Sequence, residues 1–116
     1  MGWRFTRKDD NYYLAKTIEE IDIIIAYSKG MSIADLNNNP AILDGIIFRM
    51  VQMSEHMDKV SELTKALYKD IHWLEIKGFR NRLVHDYGGV DLEFVYDAIS
   101  KEIIELKKQL ELILNH

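Results

Sequence analysis

A chain of 116 residues with a single proline and six glycines has few places to turn. Strand-rich folds need turn residues at short intervals, so this scarcity favours long helices with few connections. The proline lies in Asn39-Pro40. Asparagine can cap a helix, and proline at the first helical position loses no hydrogen bond, so the pair marks a helix start.

Apolar spacing agrees with this. Leu14, Ile18, Ile21 and Ile25 recur at helical intervals and predict a first helix over about residues 10–29, with Gly30 as its C-cap. Residues 30–38 are expected to form a loop with a short helical turn over 32–36. A second helix follows, carrying Ile46, Met50, Met53, Met57 and Val60 as one stripe. A further strip of Ile47, Phe48 and Val51 lies about 100–200° around it, so this helix is expected to be buried on two sides, the second a subunit interface. The third helix is predicted over 71–87, stopped by Gly88-Gly89. The fourth begins at Asp91, an N-cap residue with Glu93 in the first turn, and carries Val95, Ile99, Ile103, Leu106, Leu110 and Ile113 inward. The expectation is an all-α fold: an up-and-down four-helix bundle, one domain over 1–116, homodimeric.

Composition narrows the function. Apolar residues make up 47%, enough for a packed core. Without cysteine, disulfides, thiolate metal sites and cysteine nucleophiles are excluded. The longest apolar run, 23–27, is too short for a bilayer, and the charged start lacks a secretory pattern, so a cytoplasmic protein with no membrane partner is expected. A net charge of −4 disfavours non-specific coating of DNA. The charge is uneven, however. Residues 69–87 hold four Lys/Arg against three acids, whereas 91–116 hold three lysines against six.

The least acidic stretch reads Phe79-Arg80-Asn81-Arg82-Leu83-Val84-His85-Asp86-Tyr87. On a helical wheel with Trp73 at zero, Ile76, Leu83, Val84 and Tyr87 fall within about 80° and Arg80 at roughly 20°. An arginine among core-facing positions needs a partner or a reason. One account is a structural ion pair, for instance to Glu55 on the second helix. Taken singly, His85 also reads as a helix-end histidine favouring the dipole, and Tyr87 as a packing aromatic.

Taken together, Arg80, Asn81, His85 and Tyr87 resemble the R-N-x-x-x-H-x-Y signature of the HEPN superfamily, specifically its HepT-like toxin branch. The similarity covers about residues 10–115 and includes the lead-in Ile76-Lys77-Gly78-Phe79 and the Val90-Asp91 start of the last helix. Met53-Ser54-Glu55 stands where the family often has Gly-Glu, a departure that bears on any supporting role for Glu55. The resemblance implies an endoribonuclease that needs no metal or other cofactor and works as a homodimer on RNA. In it, Arg80 and His85 would be catalytic and Asn81 supporting. It also implies that Tyr87 accepts AMP from a minimal nucleotidyltransferase antitoxin, which neutralises the toxin.

The chemistry suits these residues. RNA carries its own nucleophile, the 2′-OH, so the protein supplies a proton acceptor, a proton donor and a cation. Histidine titrates near neutrality, and arginine can hold two phosphate oxygens through its planar fork. Arg80 and His85 are about 140° apart on a regular helix, so either the helix loosens near Gly88-Gly89 or the site combines groups across a two-fold axis, which we favour. The competing readings are a non-catalytic nucleotide- or substrate-binding subunit of a nucleotidyltransferase, and a structural dimer with a decayed site. A four-helix carboxylate metal protein would need Glu-x-x-His pairs, and none occurs. His56, His72 and His116 are expected at the surface.

Overall fold

A computed structural model describes the backbone of residues 2–83 and 89–115, and side chains from residue 9 onward within those ranges. Among the described residues the chain is all-helical, without a strand. No described helix is long and apolar enough to cross a membrane.

Helix α1 spans Gly2–Ser28, beginning earlier than spacing suggested. It buries Leu14, Thr17, Ile21 and Ile24, leaving Ile18 and Ile25 at the margin of the core. Gly30 terminates it with φ at 74°, the left-handed geometry that costs glycine no side-chain clash. The short turn expected after it is α2, Ile33–Asn37, closed by a reciprocal Ser32–Asp35 capping box. The Ser32 backbone N–H donates to the Asp35 carboxylate and holds its pKa below the ordinary value.

Helix α3, Pro40–Asp58, has Pro40 in its first turn and buries Ile46, Met50, Met53 and Met57. It packs most extensively against α1, then against the elements of the third segment. At Gly45 an added Cβ would sit 3.2 Å from the Tyr27 ring, so the absence of a side chain permits this close approach of α1 and α3. The second apolar strip is only partly covered: Ile47 and Val51 pack against the core while Phe48 is 54% exposed.

Arg49 reaches from α3 to Glu20 on α1 at 3.2 Å. Glu20 is buried, and its second carboxylate oxygen has no hydrogen-bond partner among the described residues. Removing the cation strands a desolvated charge, which costs ~3–5 kcal/mol in full burial. Because Arg49 remains partly exposed, Arg49→Ala is expected to cost about 2 kcal/mol, read as a lower urea midpoint with unchanged m. An unchanged midpoint would show that water reaches Glu20.

The third segment departs from expectation. A helix not expected from spacing, α4 (Glu62–Leu67), comes first, and the described part of 71–87 is α5 (Trp73–Lys77) and α6 (Phe79–Leu83) rather than one helix. Asp10 of α1 organises the first of these. Its buried carboxylate accepts from the Ser61 N–H at 2.8 Å, the Ser61 hydroxyl at 2.6 Å and the Thr64 hydroxyl. The break at Gly78 separates α5 from α6, and residues 84–87 of the expected helix lie outside the described residues.

The last segment follows its stripe closely: Val95, Ile99, Ile103, Leu106 and Leu110 are buried, and Ile113 packs at the edge of the core. Helices α7 (Leu92–Asp97) and α8 (Ile103–Leu114) are joined through a π-helical turn, Ala98–Glu102. The wider turn shifts the phase by one residue. Lys107 of α8 pairs with Asp22 of α1 at 2.6 Å, and this hydrogen bond raises the lysine pKa.

Histidine positions also need one correction. His72 is exposed as expected, but His56 is half-buried and stacks on Tyr13 at 6.4 Å, because α1 covers that face of α3. His116 lies outside the described residues.

Candidate functional site

Arg80, Asn81 and Arg82 form the exposed side of α6, while Phe79 and Leu83 anchor its other side in the core. Gly78 ends α5 with φ −81° and ψ 0°, and its carbonyl accepts from the N–H groups of both Asn81 and Arg82. A wheel centred on Trp73 placed Arg80 toward the core. The buried residues on either side of Gly78 are Ile76, Phe79 and Leu83, at helical spacing, so the inward face is centred on them and Arg80 turns outward. The expected core-facing arginine is therefore replaced by an exposed one.

The structure does not join Arg80 to Glu55. Glu55 is exposed on α3, and among the described residues Arg80 forms no ion pair, so the structural salt bridge weighed from the sequence is absent there. Ser54, where the resemblance leads one to expect glycine, is buried and donates its hydroxyl proton to the Val51 carbonyl at 2.7 Å. That local bond explains how a polar side chain is accommodated inside α3. His85 and Tyr87 lie outside the described residues.

Sequence reasoning gave no role to Arg82 or Phe94. The Arg82 guanidinium sits 4.5 Å over the Phe94 ring, which itself meets Phe79 edge-on at 5.5 Å. Twelve residues separate Arg82 from Phe94, and no local pattern announces the contact. The Asp91 N–H donates to the Leu83 carbonyl at 2.9 Å, and the Asp91 side chain caps α7 by accepting from the Phe94 N–H at 3.1 Å. These bonds fix α7 beside α6. Between them lies a cavity of about 580 Å³ lined by Asn81, Arg82 and Phe94 together with Glu93, Asp97 and Glu102. Arg80 is on the same helix but outside this lining. A second cavity of about 250 Å³, floored by Ile76, Phe79 and Leu106, adjoins the first across Phe79. Among the described residues no three His, Asp or Glu side chains converge as metal ligands.

Among the described residues, one short, anchored helix exposes two arginines and an asparagine, groups suited to contact an anion. Comparison with known proteins is more specific. The profile of the family described as "Ribonuclease HepT-like" matches residues 17–113, and the chain belongs to that family. It is 31% identical over 108 residues to "Putative RNase MJ1216" of Methanocaldococcus jannaschii, covering 93% of this chain and 89% of that one. "Putative RNase TTE0752" of Caldanaerobacter subterraneus is 29% identical over 102 residues, 88% of this chain and 91% of that protein. "Probable ribonuclease HepT" of Thermococcus cleftensis is 24% identical over 99 residues, covering 85% and 90%. No solved structure matches the chain.

Proposed function

We propose that this protein is a metal-independent endoribonuclease toxin in which Arg80 and His85 carry the chemistry. The observation that carries the reading is Arg80, exposed on the outward side of α6 and without an ion pair among the described residues, in a chain of this family. The 2′-oxygen of RNA attacks the adjacent phosphorus, the bond from phosphorus to the 5′-oxygen breaks, and a 2′,3′-cyclic phosphate remains. One proton leaves the 2′-OH and another reaches the departing 5′-oxygen, the two transfers for which histidine is suited. Arg80 holds the non-bridging oxygens as charge gathers on them, and Asn81 orients the phosphate or His85. Glu55 supports the site only indirectly, since it is exposed on a different helix without pairing to Arg80.

One chain supplies one motif histidine, so a homodimer would supply one for each proton transfer. The exposed Phe48 beside Ile47 and Val51 on α3 supports such pairing, because α3 retains apolar surface that its own core does not cover. Tyr87 is the proposed acceptor of AMP from a nucleotidyltransferase antitoxin. A bulky anion two residues from His85 would exclude RNA by occupancy and by charge.

The test is incubation of the purified protein with mixed RNA in excess EDTA, beside His85→Ala, after intact mass has shown no added AMP. Cleavage by the parent alone, with 2′,3′-cyclic phosphate ends, is the expected result. Silence from the unmodified parent would sink the nuclease reading, and 3′-OH ends would sink the mechanism.

A further inference from the structure

The cavity between α6 and α7 poses an electrostatic problem for an RNA-binding surface. Glu93, Asp97 and Glu102 face a space that adjoins the arginine-bearing helix, and among the described residues none of the three forms an ion pair. A phosphate would be repelled there. A nucleobase would not, because its edge is neutral and carries N–H donors that carboxylates accept.

The same lining also carries groups suited to a base. Nucleobases stack on aromatic rings and on arginine planes. Arg82 is held at 4.5 Å over Phe94, and Phe94 is braced edge-on by Phe79, so the guanidinium is positioned before any ligand arrives. Asn81 lines the same space and adds an amide that can both donate and accept. The volume of about 580 Å³ falls in the range of small-molecule sites.

We infer that this cavity is a nucleobase subsite, with Arg82 on Phe94 as the stacking platform and the Asp97 and Glu93 carboxylates reading the base edge, and that it prefers guanine. Glu93 and Asp97 are one turn apart on α7 and share a face. Guanine alone among the four bases offers two adjacent donors on its pairing edge, N1–H and the 2-amino group, which match the two oxygens of one carboxylate. Uracil offers one N–H, and cytosine and adenine offer one amino group beside a ring acceptor that a carboxylate repels. The subsite deepens the nuclease reading and rests on it for its biological meaning, since it would select which phosphate reaches Arg80.

Binding separates the two ideas. The probes are fluorescent 2′-O-methyl RNA hexamers, which cannot be cleaved by 2′-oxygen attack: all-uridine, and the same with one central guanosine. The parent is expected to bind the guanosine hexamer about 10-fold more tightly. Arg82→Lys keeps the charge but loses the plane, and is expected to weaken the guanosine hexamer about 10-fold. Asp97→Asn with Glu93→Gln is expected to abolish the preference for guanosine while leaving uridine binding in place. Equal binding of both hexamers by the parent, no binding of either, or parent-like selectivity in both variants would overturn the subsite. Cleavage of ordinary RNA with no base selectivity in binding sinks the subsite alone. Selective binding without cleavage supports the subsite and sinks the nuclease reading.

Discussion

Replacing Arg80 by alanine is expected to lower the rate of RNA cleavage about 10³-fold while leaving the melting temperature within about 2 °C of the parent. The two halves of this expectation have separate causes. A guanidinium that meets the phosphate as negative charge develops contributes mainly in the transition state, so its loss should appear in kcat more than in KM. The side chain is exposed and unpaired among the described residues, so the folded state has little to lose. Arg80→Lys restores the charge but not the two-pronged donor geometry, and is expected to recover no more than about 10-fold of the lost rate. A variant that cleaves like the parent would remove Arg80 from the chemistry. One that loses activity together with many degrees of melting temperature would reassign it to the structural role that a continuous third helix implied.

The largest expected effect on stability lies at the other end of the chain. Asp10→Ala is expected to cost about 3 kcal/mol, a fall in melting temperature of roughly 10–15 °C for a domain of this size. Its carboxylate is 4% exposed and accepts from one backbone N–H and two hydroxyls of the residues that open α4. Hydrogen bonds to a charged group are worth more than neutral ones, and a buried donor left without its acceptor carries the full cost of its lost hydration. Ser61 also caps α4 through the Thr64 N–H, so loss of Asp10 frees the cap as well as the tie to α1. Asp10→Asn keeps one acceptor oxygen and is expected to lose about half as much. A loss under about 1 kcal/mol for Asp10→Ala would mean that water replaces the carboxylate without penalty.

These two residues show how differently the site and the scaffold could be read. Arg80 was conspicuous as part of a spaced set of residue types, and membership of the Ribonuclease HepT-like family bears out the resemblance on which it was singled out. Its orientation was misread, since the wheel was centred on Trp73, whereas the buried face is that of Ile76, Phe79 and Leu83. Asp10 was unremarkable as a charge near the start of a helix, because its partners are 51 and 54 residues away. Arg82 and Phe94 were likewise ordinary residues until α6 and α7 were set side by side.

By itself the sequence determined an all-helical chain, the starts at Pro40 and Asp91, the stop at Gly30, the inward stripes of the second and last helices, and the family. Each of these depends on contacts within a few residues or on a face repeating every turn, and such periodicity is written locally. Only the tertiary structure decided that the described part of 71–87 is two short helices preceded by α4, that Arg80 faces outward, and that an arginine stacked on Phe94 shares a cavity with carboxylates. A lone glycine in a helical pattern costs about 1 kcal/mol and can be carried or can break the helix. Which face of the segment around Gly78 turns inward was chosen by the packing of Ile76, Phe79 and Leu83, and a choice made by burial is invisible until the partners that bury it are in place.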